Sequence, residues 1–333
     1  MLAKQFPRNT VKEGSVFVFV PCFYLDEVID GAAHLPHPAF VARGRVLPGV
    51  YISKFQNVIQ NGLAYSLPNE DPTTQVDFDT CVKACEDKGK GFHLMTAFEW
   101  GALALWCQKN GYLPNGNNDY GKDVREEQVV ARVAYQDENV CRVATGTGPA
   151  SWSHNGKADG IYDLNANVWE WVGGMRLIYG ELQILLDALD SQAPSGDAWR
   201  AIDGESGQLI LPDGFGTTKN SVKLDYVNGK WQYITTSLTS REDSFRFCAF
   251  ADITAPTLCK AARELLYALG CLACGEVDRE VAFFADNGAA ERIAFRGGKW
   301  GQGRNAGIFK TCFDDPRDCK AAAIGFRSAW YDL

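Results

Sequence analysis

The chain is poor in histidine, and its four residues, His34, His37, His93 and His154, lie far apart. No His-rich cluster is there to hold iron, so each is read as an ordinary surface or hydrogen-bonded imidazole. Long apolar runs are missing too. The most apolar early stretch, Val16 to Val20, ends at Pro21 and is far too short to span a bilayer. Positive charge is not in excess, with 33 Lys and Arg against 41 Asp and Glu and a net charge of −8 at pH 7. That balance excludes the basic face of a general nucleic-acid binder. A second cysteine pair is absent beside Cys271 and Cys274, with Cys259 one helix upstream, so a zinc or redox site lacks half its ligands. These cysteines are expected to pack as thiols. The opening MLAKQFPRNTVKEG has no apolar core of signal-peptide length, which makes synthesis in a reducing cytoplasm the expectation. The odd count of 11 cysteines agrees with reduced thiols rather than a disulfide framework. There is no internal repeat and no low-complexity tract.

What is present is ordinary in bulk. The 333 residues are 46% apolar and 22% charged, enough for one large core or two modest ones. Nine Trp and 19 Phe predict wide, aromatic-filled packing rather than a lean helical bundle. VFVFVPCFYLDEV and Val50 to Phe55 read as strands, the first closed by Pro21. TQVDFDTCVKACEDKGKG puts Val76, Cys81, Val82 and Cys85 on one helical stripe, with Gly89 and Gly91 closing it. In MTAFEWGALALWCQKNG, Thr96 and Glu99 form a capping box ahead of a body apolar nearly all round, which predicts a helix deep in the core with Gly111 at its C-terminal cap. Residues 110–160 read as loops. A strand over Val168 to Val172 places Trp169 and Trp171 on one face and Glu170 on the other. Composition shifts between 173 and 291, where KLDYVNGKWQYI turns at Asn228-Gly229 in type I′ fashion. That stretch also holds a helix striped by Leu258, Ala262, Leu265, Leu266 and Leu269.

The last stretch is the most informative: RGGKWGQGRNAGIFKTCFDDPRDCKAAAIGFR, from Arg296 to Arg327. Stiff positions, among them Arg296, Gly297, Gly298, Trp300, Gly303, Gly307, Phe309, Gly325, Phe326 and Arg327, alternate finely with a miscellany that has no periodic apolar face. Trp300 and Phe309 would anchor the backbone, and the glycines would permit tight or left-handed turns. Substitutions at surface positions away from packing features cost within about 0.5 kcal/mol. A pinned backbone with outward side chains therefore suits display, whereas catalysis demands particular groups. The segment carries seven Lys and Arg against three Asp, a local +4 on a chain of −8. That reversal is weak support for an acidic partner.

Three segments in order, GFHLMTAFEWGALALW, GIYDLNANVWEW and RGGKW…GFRSA, resemble the formylglycine-generating-enzyme branch of the C-type lectin fold. Within it the C-terminal frame is similar to the variable proteins of diversity-generating retroelements. The resemblance implies an α+β, C-type lectin fold over residues 1–333, with 173–291 as an insertion and 296–327 as a variable region rewritten by adenine-directed mutagenesis. The displayed set it implies is Lys299, Gly301, Gln302, Arg304, Asn305, Lys310, Cys312, Asp314, Asp315, Asp318, Cys319, Lys320, Ala321 and Ala323. It further implies a non-enzymatic protein that binds an unidentified protein or glycan on a cell surface, carried on a phage virion tail, without nucleic acid or membrane insertion.

The oxidases of this branch need a copper-binding cysteine pair, and the matching positions here are Gln302 and Gly307, neither a soft ligand. An altered oxidoreductase and an undiversified structural module are the alternatives. No cofactor is required on this reading, but calcium remains open. In the branch's enzymes the loop matching Asp163 to Glu170 holds that ion, and Asp163 and Glu170, with Asn165 and Asn167, supply oxygens. The competing expectation is turn hydrogen bonds at Asp163 and the asparagines, with Glu170 meeting an arginine such as Arg327. A bridge between Cys312 and Cys319 is conceivable only outside the cell.

Overall fold

The computed structural model describes residues 9–333, so the first eight residues of the segment read for a signal sequence lie outside the described residues. The architecture is mixed α/β, mostly sheet with few helices. Four α-helices are present among the described residues: α1 (Leu25–Val28), α2 (Phe78–Glu86), α3 (Ala97–Lys109) and α4 (Lys260–Ala268). None is long and apolar enough to cross a membrane.

A five-stranded sheet is ordered Thr10–Lys12, Ser15–Pro21, Gly49–Ser53, Ser328–Trp330, Phe92–Leu94. The last strand of the chain is inserted between two early ones, pairing Ala329 with Ile52 on one side and His93 on the other. The residues that follow the C-terminal segment are thereby held at both edges. Both early strands expected from sequence lie in this sheet.

The second sheet has eleven strands. Its main path runs Leu209–Ile210, Arg200–Ile202, Glu181–Ile184, Trp169–Ile178, Arg292–Gly297, Gly307–Phe313, Ala282–Ala285, Arg246–Ala249, with Ile324–Phe326 parallel to Trp169–Ile178. The Lys223–Val227 and Lys230–Ile234 hairpin branches from Glu181–Ile184, and Asn228 (φ 51°) and Gly229 (φ 80°) form the expected left-handed turn pair. The composition shift at 173 is no structural break. The strand Trp169–Ile178 runs through it with a register shift, and Gly174 takes φ 72° there. Residues 173–291 therefore extend the same sheet on both sides of the C-terminal strands.

α3 occupies the core as its sequence predicts. Thr96 and Glu99 cap reciprocally, the Thr96 amide donating to Glu99 Oε2 at 2.7 Å and the Glu99 amide to Thr96 Oγ1 at 3.3 Å. Every residue from Ala97 to Leu105 is buried. Gly101 lets α4 cross against α3: a Cβ there would lie 2.0 Å from the Ala268 carbonyl oxygen. On α2, Cys81 and Cys85 pack inward and Val82 sits half-buried at the edge of the stripe. Burial pushes both thiols well above their ordinary range, as expected of packing cysteines. No disulfide joins the cysteines among the described residues.

Two histidines are wholly buried as neutral rings. His37 Nδ1 accepts from the Ala39 amide at 3.2 Å and its Nε2 faces the Ala268 carbonyl at 3.1 Å, while His154 Nδ1 accepts from the Ile161 amide at 2.8 Å. Burial brings each down from 6.5 to about 3. The stability gained by keeping these rings neutral is complete above about pH 6.5 and is lost as pH falls towards 3, because only the unfolded chain takes up the protons. Each ring contributes a slope of about 1.4 kcal/mol per pH unit. Urea melts at pH 7.0 and 4.5 are expected to differ by about 3–5 kcal/mol from this source. His154→Gln is expected to remove about half of that pH-dependent slope.

Candidate ligand-display face

The C-terminal segment divides into a buried frame and a rim that reaches solvent. At its start, Arg296 is fully buried. Its Nη1 donates to the Leu269 carbonyl at 3.2 Å and Nη2 to the Gly270 carbonyl at 3.1 Å, satisfying the C-terminal end of α4. Gly297 (φ 90°) and Gly298 (φ 101°) then turn the chain, and a Cβ on Gly298 would lie 2.9 Å from Ala306 Cβ and from Gln302 Oε1. Trp300 is buried beside Cys141 and Val168, its indole donating to the Asn139 carbonyl at 2.8 Å. Phe309 stacks on Phe250 with ring centroids 5.3 Å apart. At the far end Arg327 is fully buried and grips Glu170 with two hydrogen bonds, Nε to Oε2 at 2.9 Å and Nη2 to Oε1 at 2.8 Å.

Between these anchors, Arg304, Asn305, Asp318 and Lys320 are exposed, and Lys299, Gln302, Asp314, Asp315, Cys319, Ala321 and Ala323 are half-buried. Lys320, itself exposed, pairs with the half-buried Asp77 at 3.0 Å, and the exposed Arg304 approaches Glu280 at 3.9 Å, contacts of small energetic weight.

Three members of the expected set depart from free outward display. Lys310 is 1% and Cys312 3% exposed, because both faces of the strand Gly307–Phe313 are covered, one by the core and the other by Trp169 and Phe284. Gly301 is exposed but has φ 72°, and a Cβ there would meet the Tyr120 ring at 2.8 Å, so it acts as a turn residue. Cys312 donates to Asp314 Oδ1 at 2.9 Å and makes no bridge to Cys319. Burial raises the thiol of Cys312 well above its usual range and the carboxyl of Asp314 less strongly.

Half of the expected set meets at one pocket of about 220 Å³. Lys299, Gln302, Cys312, Asp314, Asp315, Ala321 and Ala323 line it with Ile324 and four aromatic rings, Trp169, Phe245, Phe284 and Phe295. Trp169 and Phe295 meet edge to face at 5.0 Å. Phe245 and Phe284 come from 173–291, and sequence reasoning did not place them at the site. Phe245 and its neighbour Phe247 are 60% and 59% exposed, with ring centroids 6.3 and 5.5 Å from Phe284. The signal was the alternation in SFRFC, which left two phenylalanines on the outer face of the edge strand Arg246–Ala249. A wider cleft of about 720 Å³ opens beside Arg43, Arg45 and Lys90 but shares no lining residue with this pocket.

Part of the loop expected to offer calcium oxygens is taken by protein donors. The Gln56 Nε2 amide lies 3.2 Å from the Asp163 carbonyl oxygen, 3.3 Å from that of Ala166, 3.0 Å from that of Val168 and 2.9 Å from Glu170 Oε1. Its own Oε1 accepts from Asn167 Nδ2 at 2.8 Å, which fixes the amide orientation. Glu170 is also held by Arg327, so three main-chain oxygens and the Glu170 carboxylate are taken by protein donors, whereas Asp163 Oδ1 and Asn165 Oδ1 are buried without a hydrogen-bond partner among the described residues. The competing expectation for Glu170 is the one realised. Asp163 sits at φ 63° and accepts from the Gly146 amide at 3.1 Å, and burial raises its carboxyl to about 6.

The C-terminal segment is thus a buried, two-ended frame whose solvent-reaching residues border an aromatic-walled pocket on a mixed α/β fold. Among solved structures the chain is similar to the Major Tropism Determinant U1 variant, at 11% identity and a TM-score of 0.34 over 95% of this chain and 62% of that one. The P3c variant of the same protein gives 10% and 0.34 over the same shares. Treponema denticola variable protein 1 gives 11% and 0.35 over 97% of this chain and 98% of that one. The chain thus spans about 62% of the length of the two tropism-determinant variants. Similarity this low transfers no residue role and no ligand. No family model and no curated protein matches the chain.

Proposed function

We propose that this chain is a ligand-binding display protein whose C-terminal segment is diversified by a retroelement. The observation that carries the reading is the division of one short segment into two populations. Arg296, Gly297, Gly298, Trp300, Phe309, Phe326 and Arg327 are buried or hold left-handed turns, while twelve of the fourteen expected positions are exposed or half-buried. Such a division tolerates many side chains at once without loss of the fold. The ligand is a protein or glycan on a cell surface, reached from a virion tail, and no chemistry is performed on it. The oxidase alternative lacks its thiol pair, since Gln302 and Gly307 stand at those positions.

The test is to sequence the DNA flanking the gene in several isolates. A near-copy of the segment differing mainly at adenines, a reverse-transcriptase gene nearby, and substitutions confined to the rim positions are expected. Isolates with an invariant segment and neither neighbouring element would overturn diversification.

A further inference from the structure

Lys310 is buried behind two of the aromatic rings that line the pocket, and among the described residues neither it nor the lining Lys299 forms a salt bridge. Lys310 is 1% exposed, and its ammonium lies 5.2 Å from the centroid of Trp169 and 5.0 Å from that of Phe284. Along its strand, Lys310, Cys312 and Asp314 share a face, and the latter two line the pocket. Two carboxylates, Asp314 and Asp315, also line the pocket; Asp314 accepts from Cys312, and neither forms a salt bridge with the lysine. Lys299 stands across from Lys310 with like charge, so its ammonium adds to the cationic end instead of neutralising it. Burial and this neighbour bring the Lys310 ammonium down to about 8, so it is still mostly charged at neutral pH. Ring faces recover only part of the cost of removing an ammonium from water.

We propose that the pocket takes an acidic sugar ring, its carboxylate paired with Lys310 and Lys299 and its ring face laid on Phe245 and Phe284. The inference rests on the display reading and names the ligand class that this particular set of side chains selects. A carboxylate reaching Lys310 would complete a charge-assisted pair in a largely desolvated place, where such a bond is strongest. A pocket of about 220 Å³ admits one ring-sized group rather than an extended ligand. An acidic peptide side chain would bring the same carboxylate yet leave the four aromatic walls uncovered. An acidic pyranose covers both. Phe245 and Phe247, presented at the pocket mouth by the edge strand, would extend the platform to the next sugar.

The proposal is tested by calorimetric titration of the full chain with methyl glucuronide, with its uncharged counterpart methyl glucoside, and with an acidic peptide. The glucuronide is expected to bind at least about tenfold tighter than either comparator, one well-placed ion pair being worth that factor. Lys310→Met keeps the length of the side chain and removes its charge. It is expected to melt at a higher temperature than the parent and to lose that tenfold preference. Lys299→Ala, at the rim, provides a second variant whose folding is not in question, and a threefold or larger loss is expected there. Equal binding of the two sugars, no saturable binding of the glucuronide, preference for the peptide, or a preference that survives Lys310→Met would each overturn the assignment. None of these outcomes bears on diversification, which is read from the flanking DNA and from variation among isolates.

Discussion

Arg327→Met is expected to destabilise the protein by about 3–5 kcal/mol, the cost of leaving a buried carboxylate without its partner. Arg327 is fully buried, and besides its two bonds to Glu170 it donates to the Ser53 carbonyl at 2.9 Å and the Tyr162 carbonyl at 2.8 Å. Ser53 belongs to the five-stranded sheet and Glu170 to the eleven-stranded one, so a single guanidinium ties the two sheets at the point where the C-terminal segment ends. Removing it strands the Glu170 charge beside the Gln56 amide and frees two carbonyls in a place water does not reach. The double variant Arg327→Met with Glu170→Gln removes the stranded charge and is expected to recover roughly 1–3 kcal/mol of the loss. Urea denaturation of the parent, both single variants and the double variant measures all four corners. A single-variant loss below about 1 kcal/mol would mean that the pair does not tie the sheets.

The same pair illustrates how much of the site the sequence discloses. Strict alternation in Val168 to Val172 puts Glu170 opposite two tryptophans, and a buried carboxylate demands a cation, so an arginine partner is legible without coordinates. The capped helix α3 is legible for a similar reason: its cap and its apolar body are both local. The capture of three of the loop's main-chain oxygens was not legible, because it depends on Gln56, more than a hundred residues away, pointing its amide at them. Lys310 and Cys312 escaped for a related reason. In GIFKTCF, alternation separates two faces, but only the tertiary structure says that the outer face is roofed by Trp169 and Phe284. Gly301 looked like any small rim residue, and its φ of 72° is a property of the turn between two anchors. Local pattern thus locates the frame, while which rim positions are free is set by residues distant in sequence, Tyr120, Trp169 and Phe284 among them.

Gly298→Val is expected to cost about 2–5 kcal/mol, combining the strain of a β-branched residue at positive φ with overpacking. Gly298 has φ 101°, and its added carbon would sit 2.9 Å from Ala306 Cβ, a backbone-fixed atom, as well as from Gln302 Oε1. The Gln302 amide can swing away, although its Oε1 then leaves the Lys299 backbone amide that it accepts at 3.0 Å. Ala306 cannot move without shifting the start of the strand Gly307–Phe313. By contrast, Arg304→Ala, Asn305→Ala, Asp318→Ala and Lys320→Ala are each expected to change stability by about 0.5 kcal/mol or less, and the quadruple variant by about 2 kcal/mol at most. Thermal and urea melts of the two kinds of variant, made on the same chain, put a number on the division between frame and rim. The single substitution at position 298 should then outweigh the four side-chain deletions together. Were the quadruple variant to lose more stability than Gly298→Val, the rim would be carrying the fold, and a segment that carries the fold is not one that can be rewritten at will.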